Sequence, residues 1–141
     1  WGETLDEVLP STVAVRGHAV EARIYAEDSV RFFPSPGLLK TLRPPNHEYI
    51  RFETGYAEGT RVTTHYDPMI GKLIAWGSTR QVAISRLLMA LDETEIEGVK
   101  TNVAFIRNVL SSPEFSAGEV HTGLGQMILD RAKASMRNRA S

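Results

Sequence analysis

The 141-residue chain carries 42% hydrophobic and 23% charged residues and a formal net charge of −1, values that suit one soluble globular domain with a single core. That charge provides no basic field to attract nucleic acid or anionic lipid, and no apolar run approaches the ~20 residues that a transmembrane helix needs. Cysteine is absent, which excludes disulfide scaffolds, thiolate metal sites and a Cys nucleophile.

The chain opens on WGETLDEVLPS, without an initiating Met or the basic start and apolar stretch of a signal peptide. It is therefore expected to be a piece of a longer protein. Residues 1–12 read as a linker ending at Pro10-Ser11. VAVRGHAVEARIYAED then reads as a strand region. Val20, Ala22, Ile24 and Ala26 share one face, and Glu21, Arg23, Tyr25 and Glu27 the other. Pro34-Ser35-Pro36-Gly37 punctuates the chain. LLKTL, EYIRFET and RVTTHY are three short strand candidates, and MIGKLIAW is apolar enough for a central strand. Ser78 with Gln81 forms a capping-box pattern ahead of a helix that carries Ala83, Ile84, Leu87, Leu88 and Leu91 at helical spacing. A second helix is expected to begin near Thr101-Asn102 and to end near Pro113. A last helix covers GQMILDRAKASMRNRA, with its basic residues late, where the helix dipole favours them. Strands first and helices afterwards predict an α+β domain, an antiparallel β-sheet core with flanking α-helices.

Little in the sequence advertises catalysis. His18, His47, His65 and His121 do not fall into any zinc-ligand spacing, so no metal site is expected. Neither a GxSxG elbow nor a GxxxxGK[ST] phosphate loop occurs. Arg23 is the most informative position. Glu21 and Tyr25 lie two residues to either side on the same strand face, so a carboxylate and a phenol can hold the guanidinium in one rotamer. A fixed guanidinium can donate several hydrogen bonds to a planar oxygen-bearing group. The alternative is a solvated strand face with a weak ion pair. Asp67 before Pro68 makes a fixed turn. Lys72 interrupts the apolar run that follows, and a structural ion pair is the expected explanation. Arg51, between Ile50 and Phe52, suits either a protein interface on an edge strand or a plain exposed position. Arg131, Lys133, Arg137 and Arg139 lack interleaved aromatics, so they read as a solvated face and not as a nucleic-acid site.

GHAVEARIYAED, FFPSPG, VTTHYDPMIGKLIAWG, EGVKTN and FSAGEVHTG follow one another in this order. Together they resemble the C-terminal domain of biotin carboxylases over roughly residues 15 to 125. EARIYAED, HYDPMIGKL and the AGEVHT stretch look most like acyl-CoA carboxylases of the propionyl-, methylcrotonyl- or acetyl-CoA type. Pyruvate and urea carboxylases share much of the pattern.

The resemblance implies the rudiment single hybrid motif type of α+β fold, over residues 13–126, after the 1–12 linker from an ATP-grasp domain and before a 127–141 helix or tail. It implies a share in ATP- and bicarbonate-dependent carboxylation of carrier-linked biotin, with ATP and Mg or Mn bound mainly by the ATP-grasp domain. Arg23 inherits the family's biotin-contacting Arg, with Glu21 as its support. Asp67 falls near the active-site side, and Thr122 near the adenine. Arg51 matches a dimer-interface position whose usual aromatic partner is Glu48 here. The implied partners are the ATP-grasp domain, a biotin carboxyl carrier domain, a carboxyltransferase component and a second copy of the enzyme. No nucleic acid or membrane partner is implied, and either bacterial cytoplasm or mitochondrial matrix would suit. The chain alone is expected to be inactive. A non-catalytic dimerisation or carrier-docking module of the same fold is the competing reading.

Overall fold

Sheet formation begins where the chain can first leave a turn. A computed structural model describes residues 2–9 and 11–139. Pro10 and the side chains of Arg137 and Arg139 lie outside the described residues. After a short helix, α1 (Leu5–Val8), strand β1 spans His18–Tyr25. The predicted strand region starts several residues earlier. Gly17, at φ +68, makes the turn that separates the two, and a Cβ there would lie 2.5 Å from the Gly77 carbonyl oxygen. Beyond Gly17 the alternation is as predicted: Val20, Ala22, Ile24 and the following Ala26 are buried, while Glu21 and Arg23 are exposed.

The long strand β6 (Met69–Gly77) lies between β1 and β4 (Ile50–Thr54) in an antiparallel three-stranded sheet of order β1-β6-β4. MIGKLIAW is thus the central strand, and Arg51 lies on an edge strand. LLKTL, expected as one strand, is two. Gly37–Leu38 (β2) pairs with β5 (Arg61–Val62), and Thr41–Arg43 (β3) pairs with β7 (Glu95–Glu97), a strand that the sequence reading does not foresee. The chain changes partner at the fully buried Leu39, whose N–H donates to the Thr60 carbonyl, while the next N–H, of Lys40, donates to Glu97. RVTTHY is a strand only at Arg61–Val62. Gly98, at φ +100, follows β7 so closely packed that a Cβ would meet the Leu38 carbonyl oxygen.

Helix α2 (Arg80–Glu93) lays Ala83, Ile84, Leu87, Ala90 and Leu91 against the inner face of the sheet. Its N-cap is not the predicted Ser78. Thr79 is the extended residue at the helix start, and its hydroxyl accepts from the Val82 N–H at 3.3 Å. Gln81 does not turn back to complete a box; its amide donates to the Ser116 carbonyl at 3.1 Å. Helix α3 (Val103–Leu110) stops short of Pro113, which instead opens the five-residue helix α4 (Pro113–Ala117) behind a Ser112 cap. Helix α5 (Leu124–Arg139) begins one residue before the predicted start, and position 126/127 falls inside it. An α+β domain with antiparallel sheets and flanking helices is thus the observed fold.

Candidate functional site

Cross-strand register sets the outer, helix-free face of the sheet. Arg23 opposes Lys72, which opposes Glu53; Glu21 opposes Ile74, which opposes Arg51; Ala19 opposes Trp76. Lys72 therefore does not break into the core. It alternates outward between the buried Gly71 and Leu73, and among the described residues it forms no ion pair, contrary to the expected structural one.

Arg23 projects from this face with its side chain 62% exposed, and its Nε donates to Glu21 Oε1 at 2.8 Å. The hydrogen bond and charge of Glu21, then Tyr25, raise the Arg23 pKa, so the guanidinium is a permanent cation. Of the two neighbours expected from strand spacing, Glu21 is thus hydrogen-bonded to Arg23, and Tyr25 acts on its charge.

The backbone beneath this trio is held from an unpredicted direction. β1 is an edge strand, and at its end Ile24 opposes Gly71 while Tyr25 opposes Met69, so that Ile70 is an extra residue in β6. On the free edge, Asn102 donates from Nδ2 to the Arg23 carbonyl at 3.1 Å and accepts at Oδ1 from the Tyr25 N–H at 2.9 Å. Its own N–H donates to the Tyr25 carbonyl at 3.3 Å. Asn102 is only 6% exposed. The sequence marks it only as a helix start; the pairing across 77 to 79 residues has no local signal.

Asp67 sits in the turn into β6, where its Oδ1 accepts from the Met69 N–H at 3.0 Å. The adjoining Pro68 carbonyl accepts from Ala26, which brings Asp67 to the same end of the sheet as Arg23. Burial pushes the Glu27 carboxyl up, a hydrogen bond from Asn102 draws it down, and the nearby Asp67 charge pushes it up again. Arg51 lies on the same sheet face, two strands from Glu21, with its Nε 2.9 Å from Glu53. It borders an open groove of about 560 Å³ with Ala19, Tyr49, Ile74, Trp76 and Arg86. Arg86 stacks 3.9 Å over the Tyr49 ring and donates to the Trp76 carbonyl, while Trp76 remains 46% exposed. The sequence reading missed this aromatic–Arg stack, whose members come from β6, α2 and the turn before β4. Thr122 is exposed in the turn before α5, and no described hydrogen bond ties it to Arg23 or to the groove.

Among the described residues no three His, Asp or Glu side chains converge to hold a metal, and no helix is long and apolar enough to cross a membrane. Comparison with known proteins gives a consistent result. The model of the biotin carboxylase C-terminal domain matches residues 21–126. The chain is 51% identical to biotin carboxylase of Halalkalibacterium halodurans over 110 residues, which cover 78% of this chain and 24% of that protein. It is 46% identical to the mitochondrial methylcrotonoyl-CoA carboxylase subunit alpha of Mus musculus over 112 residues, 78% of this chain and 16% of that one. The biotin carboxylase domain dimer of Hydrogenobacter thermophilus 2-oxoglutarate carboxylase, solved with MgADP and bicarbonate, superposes with a TM-score of 0.77 at 33% identity. That match covers 81% of this chain and 26% of the solved one. The chain thus spans less than a third of the length of each of these three proteins. It belongs to the biotin carboxylase C-terminal domain family.

Proposed function

We propose that this chain forms one wall of a biotin carboxylase active site and that Arg23 is the residue that meets biotin there. The observation that carries the reading is the Arg23 guanidinium: exposed on the sheet face and hydrogen-bonded at Nε by Glu21, with Tyr25 beside it. Carrier-linked biotin would supply a ureido nitrogen to be carboxylated, with negative charge gathering on the ureido oxygen. A donor-only, permanently cationic group fits that oxygen in both charge and shape. Glu21 fixes the rotamer, so little reorganisation is needed as the charge develops. Asp67, at the same end of the sheet, lends negative charge to the site's margin. ATP and its Mg or Mn find no cradle among the described residues, and their binding is assigned to the ATP-grasp domain of the whole enzyme. An adenine contact for Thr122 rests on the family resemblance alone.

The carrier domain and a carboxyltransferase component are the remaining partners in this reading, and an acyl-CoA is the final acceptor, as the name of the mouse relative suggests. Bacterial cytoplasm or mitochondrial matrix is the matching compartment. The groove end of the sheet face, including Arg51, is proposed as a contact between two copies of the enzyme. Arg51 lies in the Ile74 row, two residues of β6 or about 7 Å along the strand from the Lys72 row and across β6 from Arg23, and Trp76 lies four residues, about 13 Å, from that row.

The test is made in the full-length enzyme, with the isolated chain as the expected inactive control. Arg23→Ala should lower biotin carboxylation by about 100- to 1000-fold, the usual effect of losing a donor aimed at developing charge. Arg23→Lys should recover only part, since an ammonium cannot reproduce the planar fork. Bicarbonate-dependent ATP hydrolysis without biotin should fall less, and the melting temperature should hardly move. Near-normal carboxylation in Arg23→Ala would overturn the reading, as would equal loss of both activities with a collapsed melting temperature.

A further inference from the structure

Asn at a helix N-cap ordinarily turns its side chain onto the helix's own first N–H groups. Asn102 occupies the N-cap of α3 and makes no such bond. Its amide is directed instead to β1, where one donor and one acceptor match the outward Arg23 carbonyl and Tyr25 N–H at 3.1 and 2.9 Å. With the Asn102 N–H on the Tyr25 carbonyl, one residue serves three outward backbone groups of an edge strand. It acts there as a one-residue stand-in for a neighbouring strand. The place is specific. On the other side of β1 the ladder to β6 is interrupted between Ile24 and Tyr25, and a bulge of this kind re-aims nearby side chains. Without the Asn102 side chain, the Arg23 carbonyl and the Tyr25 N–H would lose their partner on the free edge, leaving the Asn102 N–H and an irregular ladder to hold this segment.

We infer that Asn102 is a positioning residue for Arg23: its buried side-chain amide fixes the strand end from which the guanidinium is aimed. The inference rests on the proposed role of Arg23 in biotin carboxylation. The chemistry demanded at position 102 is narrow. Asp in its place presents two acceptors, sets a carboxylate against the Arg23 carbonyl and loses the donor. Ala removes donor and acceptor together.

The experiment uses the full-length enzyme carrying this domain, with Asn102→Ala, Asn102→Asp, Arg23→Ala and the double variant Arg23→Ala/Asn102→Ala. Misplacing a reacting group by about 1 Å can cost about 100-fold, so each Asn102 variant should lower biotin-dependent kcat by about 10- to 100-fold. Biotin-independent ATP hydrolysis should fall less. Hydrogen exchange at the Tyr25 amide should quicken. Coupled residues are not additive, so in the Arg23→Ala background Asn102→Ala should cost less than about twofold more. A purely structural Asn102 gives the opposite pattern: the same fold-loss with and without Arg23, or equal loss of both activities. Either result overturns the inference, as does failure of both single Asn102 variants to fold. If Arg23→Ala itself leaves biotin carboxylation intact, the reading of the site falls, and this inference with it. If Arg23→Ala is impaired but the Asn102 variants are not, only the inference falls.

Discussion

Asp28 shows how single residues hold the loop that follows the Arg23 strand. Its Oδ1 accepts from the N–H groups of Val30 and Arg31 at 3.0 and 2.9 Å, and Oδ2 accepts from Lys100 Nζ at 3.1 Å. The Arg31 and Val30 amides, then Lys100, lower the carboxyl from its ordinary 3.8 to about 2. Because the folded pKa lies below the unfolded one, the unfolded chain binds more protons in between. The stabilisation is therefore fully present above pH 3.8 and is lost as pH falls towards 2. A carbon-13 NMR titration should find the Asp28 carboxylate still ionised at about pH 3, and Asp28→Asn should flatten the acid limb of the stability curve. An Asp28 midpoint at or above its ordinary value would show that these bonds do not persist in solution. The same loop holds Phe32 at φ 56, a left-handed conformation rare for a bulky side chain, with its ring edge-on to Phe105 at 5.0 Å. The Pro34-Ser35-Pro36-Gly37 punctuation makes a loop legible here, but not the residue that strains within it.

Helix α2 tests how far a capping rule can be read from a single line of sequence. Ser78 and Thr79 are both suitable caps, and the Ser78–Gln81 spacing favours the first. The choice is made by packing: placing Ala83, Ile84, Leu87, Ala90 and Leu91 on the sheet puts the first helical turn one residue later. Gln81 is taken up by the Ser116 carbonyl and Arg80 by that of Phe115, at 3.1 and 2.8 Å, which ties α2 to α4. Thr79→Ala should therefore cost about 1 kcal/mol of folding stability, whereas the exposed Ser78→Ala should cost well under half of that. Urea denaturation of the two variants decides it, and a reversed order would restore the box at Ser78. The strands divide in the same way. β1 and β6 carry enough alternation to be read directly, because one face of each is buried and the other is not. The two-residue strands β2 and β5, and the three-residue β7, have too few residues for a period. Val62 in β5 and Leu39, next to β2, are fully buried, and β7 is held by its pairing with β3, where Ile96 opposes the buried Leu42.

At the scale of the whole molecule, one sheet face carries both proposed functions, with Arg23 at one end and the Tyr49–Arg86–Trp76 groove at the other. Arg23 and Glu21 were legible because strand spacing alone makes them neighbours. Asn102, Trp76 and Arg86 were not, since their contacts are set by how α2 and α3 pack on the sheet. Arg51 stands at the groove's edge, 71% exposed along its side chain. Exposed Arg and Trp around an apolar floor of Ala19 and Ile74 have the composition of a protein interface, where such residues carry much of the binding energy. A two-fold contact would bring each of these residues into play twice, so one substitution acts on both copies. Arg51→Glu reverses a charge beside Glu48 and Glu53 and concentrates negative potential on both facing surfaces. In the full-length enzyme it should weaken self-association at least about tenfold, equivalent to about 1.4 kcal/mol, with the larger deficit at low salt, where like charges are least screened. Trp76→Ala, which removes apolar area and no charge, should weaken association at all salt concentrations alike. Sedimentation equilibrium at two ionic strengths distinguishes the two variants. An association constant unchanged in both would leave the groove as plain surface and remove Arg51 from any interface, without touching the role proposed for Arg23 on β1, across β6 from Arg51.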